Sequence, residues 1–373
     1  MIYRSNLQAL CALVLFVGVH LGCGSDSGTG SDPGVQTGPR VVEGVDFDEL
    51  FAAPTASEIA SVLSLWEGRD VSGLDVREEA EGEVQLGSER GTVRVLSHVV
   101  DGNRHFGAVV IPESAAASMP VLFFPHFGDG GLDVLATQLL LNVVIDPSAF
   151  IFAYPSFRSQ KLVFGDASYE SEGSLSPWDG EVDDGLAFLN VLLETTPQAD
   201  PERISIVGLS GGATIGMLMA LRDPRIGRIV DFFGPADFLG PFVQGLVEQS
   251  LLGNPADLPG IEFLDEELIP QLQAGDRSMA DMRLELLRRS PIYFVDRLPQ
   301  MQIHHGTDDD IIPVEQSQLL AQALETSGID HTLFVYERGV HSPIGLSGSL
   351  DRAKDFLSDL VVVALVDTER HDR

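Results

Sequence analysis

The pattern of apolar and polar positions changes character near Pro120. Ahead of it, residues 93–100 and 104–111 are strand-like runs joined by Asp101-Gly102-Asn103, a hairpin signal, and Pro112 closes the second run. Beyond it, short β-branched or aromatic runs alternate with stretches of helical spacing. The pattern predicts strands at 121–124, 149–154, 203–207, 228–233, 301–305 and 332–336, with helices at 132–141, 182–193, 213–222 and 314–327. Asp223-Pro224 stops the third of these helices and Gly328 the fourth. Strands alternating with helices imply a mostly parallel sheet covered on both faces.

Two segments stand outside this alternation. Residues 41–90 are mixed and acidic; Thr55-Ala56-Ser57-Glu58 reads as a capping box opening a helix through Leu65 and Trp66, and the rest of the stretch carries little signal. Between 236 and 290, Phe242, Leu246, Val247 and Leu251, then Met282, Leu286 and Leu287, mark two short amphipathic helices separated by a loop around Leu258-Pro259-Gly260. An insertion at this point reads as a cap over a site. No internal repeat is present, which excludes a β-propeller.

Composition narrows the partners. The chain has 373 residues, 44% of them hydrophobic, enough for one large or two modest cores. Its net charge of -33, with Lys161 and Lys354 as the only lysines, repels nucleic acid and anionic headgroups, so neither is expected as a partner. The two cysteines, Cys11 and Cys23, fall in the first 23 residues, leaving the body without disulfides or thiolate metal sites.

The N-terminus reads as an address. Arg4 precedes an apolar run at 7–19, shorter than the ~20 residues a bilayer span needs but suited to a signal peptide at 1–22. Leu21-Gly22-Cys23 resembles the cleavage motif of bacterial lipoproteins, with His20 where that motif usually has Leu. The resemblance implies export and lipidation of Cys23, a membrane contact made through the anchor alone. Residues 23–39, rich in Gly, Ser and Asp, form a flexible tether. An N-terminal extension at 40–90 and a catalytic domain at 91–367, carrying the cap at 236–290, complete the expected organisation.

The chemistry centres on Gly208-Leu209-Ser210-Gly211-Gly212, between a predicted strand and a predicted helix. Strand, sharp turn and helix around Gly-x-Ser-x-Gly make a nucleophile elbow, in which side chains at Gly208 and Gly212 would crowd the turn. A serine hydroxyl needs a base to take its proton and a carboxylate to orient that base, and in an elbow fold these follow on later strand ends in the order Ser, acid, His. His341 lies just past the strand at 332–336, and Asp308, Asp309 and Asp310 lie past the strand at 301–305. The residues alone leave the acid open among the three aspartates, whose spacing is not that of a calcium loop. Oxyanion donors are expected from the N–H of Gly211 and, in the loop Pro125-His126-Phe127-Gly128, the N–H of Phe127. His98, His105 and His331, within or beside predicted strands, read as satisfied surface or edge histidines.

The elbow, His305-Gly306-Thr307-Asp308-Asp309-Asp310-Ile311-Ile312-Pro313 with Gln316-Ser317, and Gly339-Val340-His341 together resemble the catalytic domain of the prolyl oligopeptidase family and related α/β-hydrolases, over residues 92–365. Asp183-Asp184 and Ser290-Pro291 fit the same family. The resemblance implies an α/β-hydrolase fold and, by register from Gly306, Asp309 as the acid. Fewer than a hundred folded residues precede the first hairpin, and residues 120–131 hold no tyrosine to serve as that family's oxyanion donor. The expectation is a serine hydrolase acting on a small-molecule ester or a short peptide, without metal or organic cofactor. The alternatives are a carboxylesterase without peptidase activity and a non-catalytic surface binding lipoprotein on the same fold.

Overall fold

The structure is a computed structural model that describes residues 40–115, 118–126 and 131–371, residues 361–371 by backbone alone. The expected signal peptide, tether and Cys23, and the oxyanion candidate Phe127, lie outside the described residues.

A two-residue-strand hairpin, β1 (Val41–Val42) and β2 (Val45–Asp46), leads into α1 (Phe47–Leu50) and α2 (Ala56–Glu67). The capping box at α2 is formed: Glu58 N–H donates to Thr55 Oγ1 at 3.2 Å and Thr55 N–H to Glu58 Oε2 at 2.8 Å. Three antiparallel strands follow, β3 (Leu74–Leu86), β4 (Glu89–Val100) and β5 (Asn103–Pro112). Asp101 (φ 49°) and Gly102 (φ 79°) make the tight turn expected between β4 and β5, with Val100 opposite Asn103.

The alternating part runs β6 (Met119–Phe123), β7 (Leu132–Asp133), α3 (Val134–Val144), β8 (Ile151–Ser156), β9 (Lys161–Phe164), β10 (Ala167–Glu170), α4 (Gly180–Thr195), β11 (Ala199–Leu209), α5 (Gly211–Arg222) and β12 (Ile226–Phe232). After the 236–290 segment, with α6 (Pro241–Leu251), α7 (Ile269–Ala274) and α8 (Met279–Leu287), come β13 (Gln300–Gly306), α9 (Glu315–Ser327), β14 (His331–Tyr336) and α10 (Ser349–His371). Gly328 ends α9 in the left-handed conformation (φ 70°).

Nine strands form one sheet in the order β14-β13-β12-β11-β6-β8-β5-β4-β3. The run from β14 to β8 is parallel, and β5, β4 and β3 continue it antiparallel. Side chains alternate across the sheet, so adjacent residues of β11 serve opposite cores. Ile206 belongs to the core that also holds Ile215 of α5, Leu186 of α4 and Leu320 of α9, while Val207 belongs to the one that holds Leu141 of α3 and Leu357 of α10. Each such fully buried aliphatic contributes on the order of 1.5–3 kcal/mol.

The residues read as an extension and a cap are bound to each other. Arg283 of α8 donates to the carbonyls of Glu49, Leu50 and Ala52 at 2.7–3.0 Å and to both carboxylate oxygens of Glu58 at 2.6 and 3.1 Å. Trp66 of α2 packs its ring on Phe294 at 4.8 Å. The two helices expected between 236 and 290 are α6 and α8; a π-helical turn at Leu264–Leu268 and α7 lie between them.

His98 and His105 depart from the reading made of them. Cross-strand partners on β4 and β5, they are buried, with the His98 ring stacked on Phe188 of α4, because β3 covers the edge and α4 the face. Their ring nitrogens have no hydrogen-bond partner among the described residues. Burial, with a smaller effect of the neighbouring His105 and Arg104 charges, lowers His98 to about 3. His331 is satisfied through Nδ1 and the Ile329 carbonyl at 2.9 Å.

Candidate active site

Ser210 sits between β11 and α5 with φ 54° and ψ -131°, a conformation non-glycine residues avoid. Such a residue costs on the order of 1–3 kcal/mol and persists only where its surroundings fix it. Here Ser210 N–H donates to the Phe232 carbonyl of β12 at 2.8 Å, and Ser210 C=O accepts from Ala213 N–H at 3.0 Å. The glycines around it are required by contact: a Cβ on Gly208 would stand 2.4 Å from Ala213 Cα, and one on Gly212 would stand 2.2 Å from the Pro125 carbonyl oxygen. The helix is thereby pressed against the loop that follows β6, and Ser210 stays partly exposed.

The acid and the base come from the ends of β13 and β14. Gly306 and Gly339 let their loops touch, since a Cβ on Gly306 would lie 2.1 Å from the Gly339 carbonyl oxygen. The contact is zipped by Thr307 N–H to Tyr336 O, Asp308 N–H to Gly339 O, and Arg338 N–H to Thr307 Oγ1, all at 2.8–2.9 Å. His341 Nδ1 then meets Asp309 Oδ2 at 2.7 Å. The other oxygen of Asp309 accepts the N–H groups of Ile311 and Ile312 at 3.0 and 2.9 Å. The Asp309 carboxylate is buried, whereas Asp308 and Asp310 are exposed. Burial alone would push the Asp309 carboxyl up; hydrogen bonds from His305 and His341, the His341 charge and the Ile312 N–H outweigh it and hold the group well below the usual carboxylate range.

The His341 ring packs on Phe233 with centroids 4.1 Å apart, and Phe233 follows Phe232, the residue that holds Ser210 N–H. Serine, histidine and aspartate therefore gather at the carboxyl end of neighbouring parallel strands, where open α/β sheets bind ligands. Among the described residues no hydrogen bond links Ser210 Oγ to His341, so the serine-to-histidine contact is not closed. Gly211, at the first position of α5, carries the N–H expected as an oxyanion donor. No group of residues suited to holding a metal ion occurs among the described residues.

Several residues that support this arrangement carried no separate signal in the sequence. Trp178 (φ 54°) donates its indole N–H to the Gly211 carbonyl at 3.1 Å and its backbone N–H to Glu181 at 3.0 Å. Arg289, fully buried, donates to the Pro177 carbonyl at 2.9 Å and to Glu285 at 2.7 Å, and lies over the Phe263 ring at 5.1 Å. Asp179 pairs with Arg69 at 2.7 Å and Arg288 at 2.9 Å. Against burial, the Arg289, Arg288 and Arg69 charges lower it to about 2. Glu181 is pushed up to about 8 by burial, against the Trp178 N–H. Between Ser174-Leu175 and Phe263, Glu266 and Glu267 a cavity of about 290 Å³ opens a few residues from Trp178. The motif residues Ser290 and Gln316 are scaffold: Ser290 Oγ accepts Phe238 N–H, and Gln316 Oε1 accepts the N–H groups of Ala236 and Asp237, each at 2.9 Å.

A family model described as BD-FAE matches residues 193–324, which hold Ser210 and Asp309. In sequence the chain is similar to a protein of Arabidopsis thaliana named "Probable isoprenylcysteine alpha-carbonyl methylesterase ICMEL1", 24% identical over 269 residues, covering 69% of this chain and 53% of that protein. It is likewise similar to "Probable isoprenylcysteine alpha-carbonyl methylesterase ICME" of Oryza sativa subsp. japonica, 24% identical over 285 residues, covering 72% and 63%. The chain thus spans about half to two thirds of the length of these relatives. Among solved structures, acetyl xylan esterase 1 of a Thermoanaerobacterium species superposes with a TM-score of 0.56 at 17% identity, covering 84% of this chain and 93% of that one. An acylaminoacyl peptidase of Pyrococcus horikoshii superposes with a TM-score of 0.50 at 16% identity, covering 76% and 50%. From its sheet order, its strand-to-helix elbow and these likenesses, the protein has the α/β-hydrolase fold, with esterases among its relatives in sequence.

Proposed function

We propose that the chain is a serine hydrolase of carboxylic esters, with Ser210 as nucleophile, His341 as base and Asp309 as the acid that orients it. The observation that carries the reading is the 2.7 Å bond from His341 Nδ1 to a buried Asp309, at the carboxyl end of the parallel strands, where Ser210 occupies a strained elbow. A buried carboxylate accepting from Nδ1–H fixes the tautomer in which Nε2 is free to take a proton. Ser210 Oγ attacks the acyl carbonyl as its proton passes to His341 Nε2, and the tetrahedral oxyanion is met by the N–H groups of Gly211 and Phe127. His341 returns the proton to the leaving alcohol, and water, activated by the same imidazole, releases the acid from Ser210. Residues 120–131 offer no tyrosine of the oligopeptidase kind, and the relatives carry esterase names; both favour an ester over a peptide.

The test pairs p-nitrophenyl acetate and butyrate with amino-acyl p-nitroanilides, beside labelling by a fluorophosphonate probe. Ester turnover and labelling lost in Ser210→Ala support the reading. Anilide turnover at comparable rates would shift it to a peptidase, and labelling that survives Ser210→Ala would refute the assignment of the nucleophile. Export and anchoring through a lipidated Cys23 complete the proposal; incorporation of radiolabelled palmitate in a bacterial host, lost in Cys23→Ala, checks it.

A further inference from the structure

His305 is the last but one residue of β13, fully buried, and the reaction as written does not use it. Its ring is held from both sides. Nδ1 lies 2.7 Å from Ser317 Oγ on α9, and Nε2 lies 2.8 Å from the Ile312 carbonyl. A carbonyl only accepts, so the Nε2 proton points at it, and the Ser317 hydroxyl donates to Nδ1. Nε2 itself also lies 3.3 Å from Asp309 Oδ2, the oxygen that His341 engages. Asp309 therefore has two backbone N–H groups on one oxygen and, on the other, the His341 bond with His305 Nε2 close beside it.

Resting on the serine-hydrolase reading above, we propose that His305, with its tautomer set by Ser317, is a positioning residue for Asp309. The shared Nε2–H holds Oδ2 in the plane that His341 needs. It also draws off part of the carboxylate charge, so that Asp309 orients His341 without binding its proton too tightly. The groups facing His305 are Ser317 from α9, Asp309 from its own loop, the Phe233 ring, and Asp231 from β12. Asp231 is raised to about 7 by burial, against the Gly234 N–H. An Asp231→Asn control therefore separates its titration from that of the Asp309–His341 pair.

The experiment uses the full chain, with p-nitrophenyl acetate as substrate over roughly pH 5 to 9. His305→Met removes the donor; losing one hydrogen bond to an ion corresponds to about a tenfold fall in kcat. We expect that fall with KM within about twofold, together with an upward move of the acid limb of the kcat/KM profile. His305→Gln, which places an amide N–H near Nε2, should restore most of both. A folded His305→Met with lowered kcat and an unmoved acid limb, or a His305→Gln no better than Met, would overturn the proposal in favour of a structural role. Where His305→Met does not fold, Ser317→Ala decides: an acid limb moved the same way supports the proposal, and an unmoved one overturns it. Ser210→Ala run in parallel keeps the two readings apart. If it is inactive while the limb stays fixed, only the His305 inference fails; if it retains full activity, the triad fails and the inference with it.

Discussion

Asp309→Asn is the sharpest perturbation of the site, because the backbone dictates how the new amide must lie. Oδ1 of Asp309 accepts from Ile311 and Ile312 N–H at 3.0 and 2.9 Å, so the substituted asparagine keeps its carbonyl oxygen there. Its NH2 then occupies the place of Oδ2, 2.7 Å from His341 Nδ1 and 3.3 Å from His305 Nε2. A donor now faces two donors. To relieve the clash, His341 must move its proton to Nε2, the nitrogen that has to receive the serine proton. The fold loses little, since Asn matches Asp in shape, whereas the tautomer is wrong for catalysis. In such cases kcat falls by roughly 10⁴, a barrier increase of about 5 kcal/mol. Steady-state p-nitrophenyl acetate hydrolysis should show that loss with KM changed by no more than a few-fold, and fluorophosphonate labelling should slow in parallel, while near-UV circular dichroism stays unchanged. An Asp309→Asn enzyme retaining more than about a tenth of wild-type kcat would refute both the acid assignment and the tautomer argument.

Other outcomes follow from features away from that bond. Gly212→Ala, whose methyl would meet the Pro125 carbonyl at 2.2 Å, should cost about 1–3 kcal/mol in urea unfolding and abolish most ester turnover; wild-type behaviour in both would contradict the close packing of α5 on that loop. Arg283→Ala leaves the carbonyls of Glu49, Leu50 and Ala52 unpaired, about 3 kcal/mol with the rim ion pair to Glu58 counted low, which over roughly 330 ordered residues lowers Tm by about 4 °C; a shift under about 1 °C would refute it. His98 stays neutral in the fold down to about 3 while the unfolded chain protonates near 6.5, so its contribution is complete above about pH 6.5 and is lost as pH falls toward 3. The urea midpoint of His98→Leu should therefore fall less than that of wild type between roughly pH 7 and pH 5, and parallel declines would show that His98 is not the sensitive group.

The sequence was most readable where one short segment determines its own geometry. Asp101-Gly102 permits positive φ at two successive positions, Thr55 and Glu58 satisfy each other, and Gly208 and Gly212 flank a residue forced into a strained turn. β3 escaped notice because it is an edge strand with most side chains in water and register shifts near Leu74 and Glu78, so its glutamates hide the period of two. The same omission misplaced His98 and His105: without β3 to close that side of the sheet they look like edge residues. The acid was ambiguous because three successive aspartates are chemically alike; what separates Asp309 is a backbone turn donating two N–H groups, which no side-chain pattern records. Trp178, Arg289 and His305 act through partners 33, 112 and 12 residues away, and such pairings become visible only once the chain is folded.

The five contacts of Arg283 alter how the 236–290 segment should be pictured. A flap hinged on two loops would swing on its own, but here α8 is riveted to the turns around α1 and α2, so its place is inherited from residues more than two hundred positions earlier in the chain. Edits to the stretch from Phe47 to Glu58 would therefore be felt first at α8, with Ser210, Asp309 and His341 untouched in sequence.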